Sequence, residues 1–133
     1  MKKLVVIFAI FAMYGSVAVG SKLISECYNG NNQSCGELFI HYSNLCNKND
    51  GRGCFNLGNS YYNGQGVRQD YKKASELYKK ACDLGNGSGC NNLGVLYKNG
   101  RGVRQDYKKA NELYQKACDL GDGGGCLNLG GFI

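Results

Sequence analysis

The chain has no proline and no tryptophan, a single histidine (His41) and only two methionines in 133 residues. Without proline there is no collagen-like helix, no polyproline spacer and no mucin-like stalk. One histidine is too few for a zinc or catalytic centre built on imidazole, and metal is not expected. No C-x-x-C pair occurs, so redox catalysis of the thioredoxin kind lacks its dithiol. The longest apolar run, Leu4 to Met13, falls short of the ~20 residues that a helix needs to cross a bilayer. Charge is modest at 20%, while aromatic content of 11% argues against intrinsic disorder.

What is abundant is cysteine, with eight residues, alongside 21 glycines and ten tyrosines. Reducing cytosol seldom tolerates that cysteine density without metal, so the expected compartment is oxidising. The first twenty residues, MKKLVVIFAIFAMYGSVAVG, place two lysines before the apolar run and end in small residues at Ala18 and Gly20. This is the pattern of a cleaved secretory signal peptide, and a secreted or periplasmic location follows as an expectation. Loss of Lys2 and Lys3 would lower the net charge from +6 to +4. The remaining cations fall mostly on one repeated helix beside Glu and Asp. That reads as a solvated face rather than a nucleic-acid surface.

The organisation is set by a repeat. Residues 54–89 and 90–125 align without a gap and agree at 27 of 36 positions, and 126–133 restarts the same phrase. A period of this length denotes a solenoid of stacked supersecondary units. In the second half of each unit, Tyr71, Ala74, Leu77, Tyr78, Ala81 and Leu84 recur at helical spacing. Asp70 stands at the N-cap position and Gly85 just past the C-terminus. The first half predicts a shorter helix over 54–62, ended by Gly64, with Gly58 and Gly94 marking a close approach of neighbouring backbone. Each unit is thus an αα-hairpin whose connector, NGQGVRQD or NGRGVRQD, plugs the hairpin end with Val67 or Val103. The fold class is all-α, an α/α superhelical array. Residues 21–53 are a degenerate cysteine-containing lead-in, and 126–133 a short terminal helix.

The cysteines at 27, 35, 46, 54, 82, 90, 118 and 126 form four C-x7-C pairs. Eight residues along one helix rise about 12 Å, beyond the ~7 Å Cα limit of a disulfide, so each pair must straddle a turn. The expected bridges are Cys27–Cys35, Cys46–Cys54, Cys82–Cys90 and Cys118–Cys126. A rival set, Cys54 with Cys82 and Cys90 with Cys118, leaves Cys126 without an equivalent partner.

The phrase CNNLGVLYKNGRGVRQDYKKANELYQKACDLGDGGGC and its cysteine spacing resemble Sel1-like repeats, specifically those of the Helicobacter cysteine-rich protein family. The resemblance covers residues 46–133. It implies a right-handed superhelix of disulfide-clamped hairpins related to tetratricopeptide repeats, export from a bacterium, encounter with host immune cells, and penicillin binding or weak β-lactamase activity. Residues 35–46 depart from the pattern, because the ten residues between those cysteines cannot hold a helix pair.

No serine has a lysine three residues later, as a serine β-lactamase requires, and Ser75 with Lys79 is one residue too far apart. His41, with Glu37 one turn before it, is the only general-base candidate and reads better as a helix-surface residue. A hydrolase label therefore rests on the resemblance alone, and no cofactor is implied.

Binding has more support in the residues. Asn56, Asn92 and Asn128 recur at the unit period on the first helices, where a row of amides can both donate to and accept from a peptide backbone. The alternative is that these asparagines cap their helices. Positions that differ between units, Phe55 with Asn91, Asn59 with Val95 and Tyr62 with Lys98, are candidates for partner-specific contact. Tyr61, Tyr71, Tyr78, Tyr97, Tyr107 and Tyr114 fall on core spacing and read as packing. The expected molecule is a monomeric scaffold for a protein or peptide, from host or cell envelope. A β-lactam is the ligand that the resemblance would add.

Overall fold

The computed structural model describes residues 16–130. Residues 1–15 of the expected leader lie outside the described residues, as do residues 131–133 of the final segment. Seven helices occur among the described residues: α1 (Ser16–Tyr28), α2 (Asn32–Asn47), α3 (Gly51–Asn63), α4 (Tyr71–Asp83), α5 (Gly87–Asn99), α6 (Tyr107–Asp119) and α7 (Gly123–Gly130). Helices α3 with α4, and α5 with α6, are the two complete hairpins, and no strand is present among these residues.

The second helices begin where expected, with Asp70 and Asp106 accepting hydrogen bonds from the backbone N–H of Lys73 and Lys109. The first helices begin three residues before their cysteines. Asp50 accepts from Gly53 N–H at 2.8 Å and Asn86 from Gly89 N–H at 2.7 Å, so each acts as an N-cap before a glycine-rich first turn. Gly64 and Gly100 end these helices with φ of 68° and 66°, a left-handed conformation that costs a side-chain-bearing residue about 1 kcal/mol or more.

Each joint between units is built twice over. Disulfides join Cys27–Cys35, Cys46–Cys54, Cys82–Cys90 and Cys118–Cys126, with Cα separations of 4.4 to 4.8 Å. This is the pairing that the spacing predicts, and it excludes bridges within a hairpin. Beside each interior bridge, small residues let backbones touch. A Cβ on Gly89 would stand 2.8 Å from Ala81 Cβ and 3.1 Å from the Tyr78 carbonyl oxygen, and Gly125 is placed the same way against Ala117 and Tyr114.

The close backbone approach expected at Gly58 and Gly94 is found at Gly94, where a Cβ would lie 3.2 Å from the Ala110 carbonyl oxygen, but at Gly58 only a ring is that near. What fills the space beside them is an aromatic ring: a Cβ at Gly58 would lie 2.7 Å from the Tyr78 ring, and one at Gly94 2.6 Å from that of Tyr114. Tyr78 and Tyr114 are the largest fully buried side chains, each 1% exposed. Tyr61 and Tyr97 are half-buried, but Tyr107 is 56% exposed, unlike the packed residue expected. The next connector explains the contrast, because Gly102 lies against the carbonyl of Tyr71, whereas no described connector follows Tyr107.

Helix α2 stands in for the missing second helix of the lead-in. Counted back from their turn cysteines, Tyr42 matches Tyr78, and Leu45 matches Ala81. Leu45 also meets Gly53 as Ala81 meets Gly89. The α1–α2 pair lacks the seven-residue connector of the full hairpins and is closed instead by its disulfide. First helices of successive units come close along their backbones, α3 with α5 and α5 with α7, whereas second helices meet through long side chains, Lys80 with the Cys46 carbonyl and Lys116 with Asp83. The array therefore curves with its first helices inside.

Gly58→Ala is expected to lower unfolding stability by about 1–3 kcal/mol through overpacking against Tyr78, although alanine favours a helix. Gly36→Ala, with nothing within 4 Å of its Cβ, should instead be neutral or stabilising by up to ~1 kcal/mol. Denaturant midpoints of the two variants check the contrast.

Candidate functional site

The inner face is lined by amides. Asn56, Asn59 and Asn63 sit three and four residues apart on α3 and so share one stripe of that helix. With Arg52, Ser60, Asn86 and Ser88 they form the polar side of a cavity of about 440 Å³ between the lead-in helices and the first unit. Its apolar side comes from Ile24, Leu38, Tyr28, Tyr42 and Phe55. A neighbouring cavity of about 310 Å³ shares Asn59 and Asn63 and adds Tyr62, Tyr78, Asn92 and Val95. The shared pair sets the two cavities side by side along α3 and α5, and together they are the groove.

Of the three asparagines picked out by the repeat, Asn56 and Asn92 line this groove. Asn128 lines neither cavity, and its amide donates to Asn91 Oδ1 at 2.7 Å. The capping alternative fails for all three, since their helices begin at Gly51, Gly87 and Gly123, well before these residues. The variable positions prove informative too. Phe55, Asn59, Tyr62 and Val95 all face the groove.

Asn59 is the residue that periodicity undervalued. Its Oδ1 accepts the Tyr78 hydroxyl at 2.6 Å and the Asn92 amide at 3.4 Å, tying two units together under the groove floor. Its replacement by valine in the next unit marks Asn59 as a variable position, but not as a link between units. The signal lay in helical spacing, where 56, 59 and 63 fall on one face. Burial pushes the Tyr78 hydroxyl up to about 12, with the Asn92 hydrogen bond pulling the other way by less. Tyr42 and Tyr114 are likewise shifted upward, chiefly by burial; for Tyr42 the Tyr28 phenol adds to the rise and the Arg52 cation opposes it. The groove amides are neutral at any ordinary pH and can hydrogen-bond in both directions, which suits a peptide main chain.

The residues weighed for catalysis do not converge. Ser75 Oγ donates to the Lys72 carbonyl at 2.6 Å, while Lys79 pairs with Asp83 at 2.8 Å. His41 and Glu37 are exposed on α2, with the imidazole 6.0 Å from the Tyr42 ring. No group of three or more His, Cys, Asp or Glu is placed to hold a metal ion among the described residues. No described helix is long and apolar enough to cross a membrane.

Helical hairpins stacked with a constant period, their first helices inside, define an α/α repeat protein with a concave groove. The Sel1 repeat profile matches residues 51–86 and 87–122, and the chain belongs to the Sel1-repeat family. Cysteine-rich protein B of Helicobacter pylori is similar in structure, with TM-score 0.66 and 33% identity over 80% of this chain and 88% of that one. A Sel1 repeat protein from Oxalobacter formigenes gives TM-score 0.68 at 25% identity, covering 77% of this chain and 39% of its own. A protective antigen of uropathogenic Escherichia coli with an SLR fold gives 0.63 at 26%, covering 81% and 27%. Comparison with curated proteins finds no significant match.

Asn59→Ala should cost about 1–3 kcal/mol by stranding the Tyr78 hydroxyl. The upward shift of Tyr78 favours its neutral form in the fold. Its contribution is therefore whole below its ordinary value of 10.0 and is lost as pH rises toward about 12. Tyrosinate absorbance followed through denaturation at pH 9 to 12 checks both the sign and the window.

Proposed function

We propose that the chain is an extracytoplasmic scaffold that holds an extended peptide segment of a protein partner, from host or cell envelope, in its concave groove. The observation that carries this reading is the row of uncharged amides, Asn56, Asn59, Asn63 and Asn92, lining the groove together with the aromatic rings of Tyr28, Tyr42 and Phe55. Main-chain hydrogen bonding by the amides would give affinity, and the aromatic rings a seat for an apolar side chain. Four disulfides and a signal-like leader support a location outside the cytoplasm. The β-lactam reading has no serine–lysine pair and no metal-binding cluster among the described residues to carry it.

Selection of a displayed random-peptide library on the oxidised protein tests the groove. Enriched peptides should bind an Asn56→Ala, Asn92→Ala double variant at least about tenfold more weakly, as expected for two lost hydrogen bonds. No enrichment over a reduced, unfolded control, or equal affinity for both proteins, would refute the assignment.

A further inference from the structure

The second helices begin with charge of the sign that their dipoles disfavour. Helices α4 and α6 both open Tyr-Lys-Lys, with no acidic residue in the first turn, although that end of a helix favours anions. Arg68 and Arg104 stand in the connectors just ahead. Part of this charge has a structural use. Lys73 and Lys109 lie over the rings of Tyr61 and Tyr97 at 5.5 and 5.0 Å, and Arg101 donates to the Tyr62 hydroxyl at 3.0 Å while covering Tyr71.

Arg68, Lys72, Arg104 and Lys108 have no such role. All four are exposed, and the three ion pairs among the described residues, Lys22–Glu26, Lys79–Asp83 and Lys116–Asp83, lie elsewhere. The acidic residues near them in sequence form no ion pair with them. Asp70 and Asp106 accept backbone N–H groups as N-caps, and Glu76 and Glu112, one turn further on, form no ion pair with them.

Arg68 and Lys72 in one unit hold the same places in the repeat as Arg104 and Lys108 in the next, at the connector end of each hairpin. Gly102 packs against the Tyr71 carbonyl and the Lys72 backbone nitrogen, so the second connector rests on the first turn of α4, bringing the stretch that carries Arg104 to the turn that carries Lys72. Tyr107, 56% exposed, stands between Asp106 and Lys108 on this connector edge. Neither groove cavity is lined by any of the four, so this edge, made of loops and helix starts, suits a flat surface better than a strand gripped in a cleft. An exposed tyrosine among unpaired cations is the composition that settles at a headgroup layer. We infer that the connector edge docks on the anionic phospholipid face of a bilayer, through Arg68, Lys72, Arg104 and Lys108. This surface is separate from the groove, and its use does not depend on what the groove holds.

Co-sedimentation of the full oxidised protein with phosphatidylcholine vesicles, with and without roughly one-third phosphatidylglycerol, tests it. The expected result is binding to the anionic vesicles alone, lost as salt rises from about 0.05 M to about 0.5 M. It should weaken about a hundredfold in the variant Arg68→Glu, Lys72→Glu, Arg104→Glu, Lys108→Glu. That variant should melt no lower than the parent, because acidic residues suit these helix starts. If it misfolds, the neutral form with Gln at all four positions takes its place, with about a tenfold loss expected. Absence of binding at low salt, or equal binding by parent and charge variants, overturns the proposal. So does binding to soluble polyglutamate with no binding to vesicles, which would assign the edge to an acidic protein.

Discussion

The structure depends on how one helix hands over to the next between units. The last turn of each second helix and the first turn of the following first helix lie closer than most side chains permit. They fit because alanine meets glycine there, Ala81 on Gly89 and Ala117 on Gly125. The disulfide beside each contact fixes the same approach covalently. Either device alone would leave the joint free to pivot, one for want of a tether and the other for want of contact. Together they convert two complete hairpins and three flanking helices into a continuous body. Crosslinks closing short loops remove about 2–3 kcal/mol of unfolded-chain freedom each, comparable with the whole stability of a small scaffold.

Rigid joints make a groove from helices that meet only in part. Asn59 on α3 and Asn92 on α5 come from different units, yet the Asn92 amide and the Tyr78 hydroxyl of a third helix both donate to Asn59 Oδ1. A pivot of a few degrees would pull that cluster apart and open the floor of the cleft. The buried Tyr78 ring fills the place where Gly58 has no side chain, so the residue that packs the hairpin also carries the polar group that aligns the groove. Packing and recognition are thereby coupled through a single side chain.

Much of this was legible from spacing alone. The second helices, their aspartate caps and the disulfide partners follow from period, residue type and the reach of a disulfide, and all are local. The first helices were read three residues short because GRG and GSG look like loop until Asp50 and Asn86 are recognised as caps. The role of Gly58 was read as a backbone contact because spacing cannot tell which neighbour fills a gap, and here it is a ring from nineteen or twenty residues onward in chain order, folded back by the connector. Asn59 stands out in the sequence as a position that varies between units, but its bond to the neighbouring unit is not legible there. Comparing units rewards sameness, whereas a contact between units can be made once and not repeated, as it is here where valine replaces asparagine.

The two surfaces of the molecule differ in how water and salt treat them. The groove is lined by amides and rings with Arg52 as its cation, so its interactions are short-ranged and depend on geometry and on the exclusion of water. The connector edge carries unpaired cations, whose attraction reaches about a Debye length and fades in salt. Long-range attraction can bring a small protein to a charged surface without orienting it, and a row of amides can select a partner without drawing it from a distance. A rigid array can do both at once, because its stapled joints keep the edge and the groove in a fixed relation. Docking on the edge would then hold the groove at a constant angle to the surface beneath.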